Sequence, residues 1–305
     1  METFRQHSKP TCQTTSGRWA RYERVLAMTL NRLVCPLSGP ALYLAIAIGF
    51  TFTAFASAQG GWLPDGAPIA VKPGEQTARA MITDGSGGAI IIWQDATTGK
   101  YAYDIFAQRV LPDGHVAAGW PEAGVPVCDE GGQQVRPRAI PDGAGGAIVV
   151  WQDVDYRWHV RLQRVGANGR PMWGWFCGVR ASHFDSEQFY YGLAPDGAGG
   201  AILVWSDGRN SAPIPPGPHG GPPSYLHDIY AQRFGPDGVP LWTADGVPVC
   251  TDSLDQNGGT IITDGSGVFT IFWGDGRGGM YRQRLDLAGN VLLAANGVPV
   301  SGSTI

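Results

Sequence analysis

The segment DGSGGAIIIWQD, residues 84–95, contains the pattern that decides the fold of this chain. A Gly-rich turn that begins at Asp84 leads into an uninterrupted apolar run that ends at Trp93. Asp-Gly and Gly-Gly steps supply the positive φ angles that tight hairpins need. An apolar run without alternation is typical of a strand buried on both faces. The segment therefore predicts a hairpin whose second strand lies inside a layered β structure.

The same pattern occurs three more times, and helical periodicity is absent after residue 58. The further copies read DGAGGAIVVWQD (142–153), DGAGGAILVWSD (196–207) and DGSGVFTIFWGD (264–275). Each is followed by a Gln-Arg strand, a turn and a last segment that ends in GVPV in copies one, three and four, whereas copy two reads WGWFCGVR. Repetition at this period predicts an all-β, propeller-like array of four four-stranded antiparallel blades. We place the units at about 73–128, 129–182, 183–250 and 251–305, and WLPDGAPIAV (62–71) predicts an extra N-terminal outer strand.

The order of turn, apolar strand, DIYAQR strand and outer strand resembles the propeller repeats of TolB-like proteins. The phrase DGAGGAIVVWQD…DIYAQR…LW…DGVPVC is also similar to a group of secreted bacterial repeat proteins whose function is uncharacterised, over residues 59–305. The resemblance implies a propeller of five to eight blades, but only four units are visible. Three arrangements stay open: a small closed ring, an open arc, or an arc that pairs with a second copy through its exposed edge.

Residues 1–58 have the layout of a signal peptide. Arginines precede an uncharged run at 41–55, and Ala56-Ser57-Ala58 supplies the small residues that a signal peptidase reads before Gln59. The run is about 15 residues long, whereas a membrane span needs about 20. We therefore expect cleavage after Ala58, a true start at Met28, no membrane insertion after cleavage and a secreted or periplasmic location.

Charge and cysteine usage limit the partners and the covalent structure. Residues 59–305 contain 16 Lys+Arg and 24 Asp+Glu, a formal net charge of −8, which argues against nucleic acid as a partner. Three cysteines remain after cleavage: Cys128, Cys177 and Cys250. Cys128 and Cys250 end the same phrase in different repeats, and equivalent positions of successive units usually lie beyond the roughly 7 Å Cα limit for a disulfide. We interpret all three as small buried hydrophobic residues.

No catalytic or metal-binding phrase is present, so we predict no catalytic residue, no metal and no cofactor. GxSxG, HExxH, CxxC and phosphate-binding loops are missing, and the Gly-rich turns do not follow the order of calcium-binding nonapeptides. One arginine recurs in each copy, at Arg109, Arg164, Arg233 and Arg284. Counting along an antiparallel hairpin places Arg109 opposite about Ile90, beside the Asp84 turn. Each arginine is therefore expected to form a structural ion pair with its own turn, to Asp84, Asp142, Asp196 and Asp264.

The candidate binding residues lie at the other end of the second strand, where the loops vary. One carboxylate follows each apolar run, and an insert at 208–227 with six prolines interrupts the third copy. The candidates are Asp95, Asp153, Asp207, Asp275, Tyr225, His227 and Asp228. Four recurring carboxylates on one face would suit a cation or a sugar, but each could instead cap its own loop by accepting backbone N–H bonds. Tyr101, Tyr156 and Trp158 add aromatic rings to the same loops.

The function that these features favour is a non-enzymatic, extracytoplasmic module that presents loops to a glycan, a peptide or another copy of itself. The alternative class is a carbohydrate-active hydrolase or lyase with paired carboxylates about 5 to 9.5 Å apart. A third interpretation is a shortened fragment of a longer repeat protein.

Overall fold

The computed structural model describes residues 65–96, 102–155, 157–174, 177–215 and 224–300, so the predicted signal peptide and the rings of Tyr101 and Tyr156 lie outside the described residues. Sixteen β-strands and no helix occur in these ranges. The first eight strands are β1 (Gln76–Thr83), β2 (Ala89–Asp95), β3 (Asp104–Val110), β4 (Val125–Cys128), β5 (Gln133–Pro141), β6 (Ala147–Val154), β7 (Trp158–Val165) and β8 (Val179–Arg180). The last eight are β9 (Gln188–Pro195), β10 (Ala201–Asp207), β11 (Asp228–Phe234), β12 (Val247–Cys250), β13 (Gln256–Thr263), β14 (Val268–Asp275), β15 (Met280–Asp286) and β16 (Val298–Pro299).

Each run of four consecutive strands forms one antiparallel sheet in chain order, which we call a blade. This arrangement confirms the predicted four four-stranded antiparallel blades. The predicted register of the first hairpin is also confirmed, because Ile90 pairs with Arg109. No helix of the described residues is long and apolar enough to span a lipid bilayer.

The extra N-terminal outer strand is not formed, and this part of the prediction is wrong for the described portion of 62–71. Residues 65–71 have no strand pairing. The prediction made this segment the outer strand of a further unit, but the third strand of every described blade already pairs with a fourth strand of its own, as β3 does with β4. The segment instead lies across blade 1, where the Gln108 side chain donates a hydrogen bond to the Ile69 carbonyl at 3.4 Å.

Three apolar clusters hold successive blades together. One joins the Ile90 and Ile92 side chains of blade 1 to Trp151 of blade 2, and the next two join blades 2 and 3 and blades 3 and 4 in the same way. The inner strands β1, β5, β9 and β13 pack side by side in that order. No such packing joins blade 4 back to blade 1 among the described residues. The described part of the chain therefore forms an open arc and not a closed ring, and pairing of this arc with a second copy stays a prediction.

A shared hydrogen-bond acceptor reinforces each boundary between blades. The carbonyl of Ala167, on the β7–β8 turn of blade 2, accepts hydrogen bonds from Arg109 Nη1 at 3.2 Å and from the Trp120 indole at 3.0 Å, both of blade 1. The Pro236 carbonyl of blade 3 accepts hydrogen bonds from Arg164 Nη1 and from the Trp173 indole of blade 2, at 2.9 Å each. At the third boundary the Leu287 carbonyl accepts from Arg233 at 3.2 Å and from Trp242 at 3.0 Å. We call this arrangement the blade clamp.

The predicted Asp–Arg tie forms in three of the four blades. Arg109 binds Asp84 at 2.8 Å, Arg164 binds Asp142 at 2.9 Å, and Arg233 binds Asp196 at 3.0 Å. These carboxylates are buried, and while Oδ2 binds the arginine, Oδ1 accepts N–H bonds from the turn. The Asp84 pKa falls to about 2: burial raises it, but hydrogen bonds from the Ser86 backbone and from Arg109 outweigh that effect.

In blade 4 the predicted tie is absent. Asp264 is exposed and bonds Ser266 instead, and it forms no ion pair with Arg284. The physical reason is position: in blades 1 to 3 the turn of the next blade covers the tie, and no described residue takes that place beside blade 4.

Two of the three cysteines do not behave as predicted. Cys128 and Cys177 form a disulfide, with Cα atoms 4.5 Å apart, whereas Cys250 is a buried free thiol. The argument from equivalent positions failed because copy two departs from the repeat. Cys177 directly precedes Gly178, as Asp245 precedes Gly246, so it aligns with Asp245 and not with the other two cysteines. Asp245 accepts the backbone N–H of His183, on the connection that leads from blade 2 into blade 3, at 2.7 Å, and Cys177 reaches the end of β4 in blade 1 from the same repeat position.

Replacing Arg233 by Ala should lower the free energy of unfolding by about 3 kcal/mol, because Asp196 is left buried without its cation and the Leu287 carbonyl loses a donor. Chemical denaturation measures the change. Arg284→Ala is the matched control, since Arg284 has the same place in its blade and makes neither contact, and it should cost well under 1 kcal/mol. Equal losses for the two variants would contradict the blade clamp.

The disulfide should stabilise the oxidised protein by about 2 to 4 kcal/mol, because it closes a loop between blades 1 and 2 in the unfolded chain. Wild type should therefore melt at a lower temperature in dithiothreitol. The double variant Cys128→Ser, Cys177→Ser should melt at one temperature with or without reductant. A wild-type protein that is insensitive to reductant would exclude the bond.

Candidate functional site

The four predicted carboxylates lie on the face where the β2–β3 loops and their counterparts leave the blades, which we call the loop face. Each is paired with a cation in its own blade or beside it: Asp95 with Lys72 at 3.0 Å, Asp153 with Arg161 at 2.6 Å, Asp207 with Arg209 at 2.5 Å and Asp275 with Arg277 at 2.6 Å. They are spread over four blades, and the described residues hold no group of three or more His, Cys, Asp or Glu side chains arranged to bind a metal.

Tryptophan completes the pattern in three blades. The indole N–H of Trp93, Trp205 and Trp273 donates to the carboxylate two residues later, at 3.4, 2.9 and 2.8 Å. In blade 2 the indole of Trp151 has no hydrogen-bond partner, and Gln134 donates to Asp153 instead at 3.1 Å. The recurring Trp-x-Asp phrase therefore builds one buried polar contact in blades 1, 3 and 4, and Gln134 replaces the tryptophan as donor in blade 2.

Both oxygens of the Asp207 carboxylate accept hydrogen bonds from the protein. Its Oδ1 accepts from the Ser186 hydroxyl at 2.6 Å and from the Arg209 backbone N–H at 3.0 Å, while Oδ2 accepts from Trp205 and from the Arg209 guanidinium. The carboxylate is fully buried. A ligand would therefore have to displace protein donors in order to reach it.

Sequence reasoning missed the cations, although a signal was present. Copies three and four both read Asp-Gly-Arg at the end of the strand, which places a guanidinium two residues after the carboxylate. Each of these arginines also lies over a ring of its blade, Arg209 at 3.9 Å from the centroid of Tyr230 and Arg277 at 4.0 Å from that of Tyr281. In blade 1 Lys72 takes the same place, 3.5 Å from the Phe106 centroid.

Asp228, the first residue of β11 and directly after the insert, has an unusual environment. It lies directly across the hairpin from Asp207 and is largely buried. Burial raises its pKa, repulsion from Asp207 adds to the rise, and a hydrogen bond from Asn210 at 2.7 Å opposes it. Asp104 has the corresponding place across from Asp95 in blade 1, where burial likewise raises its pKa.

A polar pocket of about 230 Å³ opens beside Asp228. Its walls come from the start of the insert, from the end of the insert and from the β12–β13 connection, and they consist of Asn210, Ser211, Leu226, Asp228, Thr251, Asp252 and Ser253. We call it the insert pocket. It lies where the third copy departs from the repeat.

The two candidates that belong to the insert itself, Tyr225 and His227, are not among the lining residues of this pocket. Arg157 donates a hydrogen bond to the Tyr225 hydroxyl, and the His227 ring packs edge-on against Phe189 with centroids 5.6 Å apart. His227 Nδ1 also lies 3.5 Å from Asp255. Both side chains thus join the loops of neighbouring blades.

A second cavity of about 320 Å³ lies at the inner strands of blades 1 to 3. It is lined by Arg79, Arg136, Pro137, Arg138, Gln152, Phe189 and Tyr190. We call it the arginine pocket. None of these residues was singled out from the sequence, because a single arginine in a strand has no pattern that distinguishes it.

Comparison with known proteins gives a fold-level result. No protein-family model matches the chain, and no curated protein matches it. Among solved structures, the chain is similar to an ulvan lyase from a new family of polysaccharide lyases, with 14% identity and a TM-score of 0.48 over 76% of this chain and 59% of that one. The chain thus spans about 59% of the length of that lyase.

Two further solved structures are similar at the same low level. A thermostable family-43 glycoside hydrolase is 13% identical, with a TM-score of 0.40 over 76% of this chain and 73% of the other. A TolB protein from Agrobacterium tumefaciens is 15% identical, with a TM-score of 0.36 over 74% of this chain and 63% of the other. These similarities concern the arrangement of strands and do not identify a ligand for this chain.

Replacing Asp228 by Asn should raise the free energy of unfolding at pH 7, because the neutral amide avoids the cost of burying a charge. A carboxyl whose folded pKa is raised destabilises the fold above its ordinary pKa of 3.8 and loses that effect as the group protonates. The difference between variant and wild type should therefore shrink as the pH falls from 7 to 3. Urea unfolding at both pH values measures it, and a difference that does not change with pH would contradict the assignment.

Proposed function

We propose that this protein is a non-enzymatic, extracytoplasmic binding module that holds a glycan in the insert pocket on its loop face. The observation that carries the proposal is a polar pocket at the one place where an insert of six prolines interrupts an otherwise regular array. Loops that break a rigid scaffold are where proteins commonly place binding groups. The extracytoplasmic location rests on the predicted signal peptide.

The chemistry of the walls favours a ligand rich in hydroxyl groups. Asn210 offers amide hydrogens, Ser211, Thr251 and Ser253 offer hydroxyls, and Asp228 and Asp252 offer carboxylate oxygens. Such a set both donates and accepts hydrogen bonds, as sugar hydroxyls do. The absence of arginine and lysine from the lining residues argues against an anionic ligand at this place.

The state of the carboxylates favours binding over hydrolysis. A glycosidase of the usual kind needs two carboxyls that both reach the substrate, one as acid and one as nucleophile or base. Asp207 is fully buried and its oxygens accept four hydrogen bonds from the protein, so only Asp228 of this pair borders the pocket. The second carboxylate of the lining, Asp252, lies 3.7 Å from the Arg277 guanidinium and is paired with it. The other three Trp-x-Asp carboxylates are held by cations as well.

One observation supports the alternative of a carbohydrate-active hydrolase or lyase. Asp207 and Asp228 are cross-strand neighbours in which one carboxylate is ion-paired and the pKa of the other is raised. Pairs whose environments separate their pKa values are a common form of acid–base machinery. Blade 1 repeats the arrangement with Asp95 and Asp104, however, and a feature that recurs in this way is better explained as part of the repeat.

An array of neutral oligosaccharides tests the proposal. Wild type should bind at least one class of glycan, and Asp228→Ala should weaken that binding at least tenfold, because a charge-assisted hydrogen bond contributes about 1.5 to 3 kcal/mol. A variant that lacks Asn210–Ser224 should not bind, since it loses one wall of the pocket. Reducing-sugar release is measured on the same array.

Asp104→Ala is the matched control, because it removes a buried carboxyl from the same strand position of blade 1 without altering the insert pocket. It should bind as wild type does. Equal binding by wild type and by the deletion variant would exclude the insert pocket. Sugar release that disappears in Asp228→Asn, while binding persists, would establish the hydrolase instead.

A further inference from the structure

The arginine pocket arises from irregularities that the inner strands share. Each inner strand has a bulge at the same level: Arg79 in β1, Arg136 and Pro137 in β5, Tyr191 in β9, and Gly258 and Gly259 in β13. A bulge leaves residues without a partner across the strand and redirects them. In blades 1 and 2 the redirected residues include arginines, and in blade 4 they are glycines.

The backbone at Arg136 is held in a conformation that L residues seldom adopt. Its φ angle is 57°, and the buried side chain of Gln94 in blade 1 accepts its N–H at 3.0 Å. The Tyr190 hydroxyl of blade 3 donates to its carbonyl. Strain of this kind persists only where neighbours fix it, and it occurs mainly at functional sites. Groups from the two flanking blades therefore fix the residue that presents the guanidinium.

Positive charge accumulates in this pocket although residues 59–305 carry a formal net charge of −8. Arg79, Arg136 and Arg138 are all exposed and all line it, whereas no aspartate or glutamate does. Within the described ranges, no carboxylate lies within ion-pair distance of Arg79 or Arg136. Most other arginines on the loop face are neutralised by a carboxylate, as Arg161, Arg209 and Arg277 are.

Aromatic rings adjoin the guanidinium groups. Phe189 and Tyr190 line the pocket, and the Arg136 guanidinium lies 5.4 Å from the centroid of Trp158. Trp158 in turn packs against Phe189 with centroids 5.6 Å apart. Burial raises the pKa of Tyr190 to about 12, so its hydroxyl stays neutral and adds no negative charge. A ligand here meets cations and ring surfaces together.

The bulges also favour a sugar over an extended peptide as the ligand of the arginine pocket. An extended peptide would add to the free edge of an inner strand through a regular row of backbone N–H and C=O groups. At the arginine pocket that row is broken in β1 and in β5, and Pro137 has no N–H to offer. A compact ring with a carboxylate avoids this requirement, because guanidinium groups bind carboxylates directly and aromatic rings pack against sugar C–H faces.

We propose that the arginine pocket is a second binding site, specific for an acidic saccharide whose uronate carboxylate is bound by Arg79 and Arg136 and whose ring packs against Phe189. Its volume of about 320 Å³ lies within the range of ligand pockets, at the small end, which suits one or two sugar units. The site is independent of the neutral glycan proposed for the insert pocket.

Titration calorimetry with trigalacturonate tests this site, and Trp158 supplies a fluorescence signal nearby. Wild type should bind trigalacturonate and lose affinity as sodium chloride is raised, because the contacts are ionic. The double variant Arg79→Gln, Arg136→Gln should bind at least tenfold more weakly. Arg170→Gln removes an exposed arginine from the β7–β8 turn at the opposite end of blade 2, and it should bind as wild type does.

Two competition measurements and one deletion variant distinguish the proposed uronate site from its alternatives. Uncharged galactotriose should not compete, and sodium sulfate should compete only at much higher concentration than trigalacturonate; sulfate that is equally effective would show an anion site without sugar specificity. The deletion of Asn210–Ser224 should leave trigalacturonate binding unchanged, and its loss there would move the ligand to the insert pocket. Unchanged affinity in the double arginine variant, or no binding by wild type, would overturn the proposal.

Discussion

A guanidinium that binds a carboxylate of its own blade and a carbonyl of the next is the contact on which the array depends. Arg109 holds Asp84 with one edge and reaches the Ala167 carbonyl with Nη1. Because Asp84 also accepts the N–H groups of its turn, the turn, the strand register and the neighbouring blade are fixed by one connected set of hydrogen bonds. Apolar clusters between the blades supply the burial, but they are not directional, and the clamp sets how one blade faces the next.

Ion pairs also recur on the loop face. Its four recurring carboxylates are each paired with a cation, namely Lys72, Arg161, Arg209 and Arg277, so these carboxylates contribute to the structure of the repeat. The two places proposed to bind ligands differ from the corresponding places of other blades. The insert brings Asn210, Ser211 and Leu226 beside Asp228, and the bulge that all inner strands share presents arginines in β1 and β5 but glycines in β13.

Structural features within one repeat unit could be predicted from the sequence, whereas contacts between units could not. The hairpin of blade 1 was predicted down to the pairing of Ile90 with Arg109, because turn residues and strand period determine it. The hydrogen bond from Arg109 to the Ala167 carbonyl of the next blade was not predicted, because a repeat pattern does not indicate which carbonyl of the neighbouring blade lies within reach. Cys177 was misread for the same reason, and the bulge at Arg136 has no signal in its own strand apart from the proline that follows.

The open arc has a consequence for how the chain reaches its folded state. The blade clamps and the main packing contacts between described strands join a unit to the next one along the chain, over sequence separations of about one unit. Chains of this kind behave as a one-dimensional series, in which structure spreads from any pair of neighbours. Such a protein can assemble vectorially: two blades can dock, and a disulfide can lock them, while the rest of the polypeptide is still unfolded.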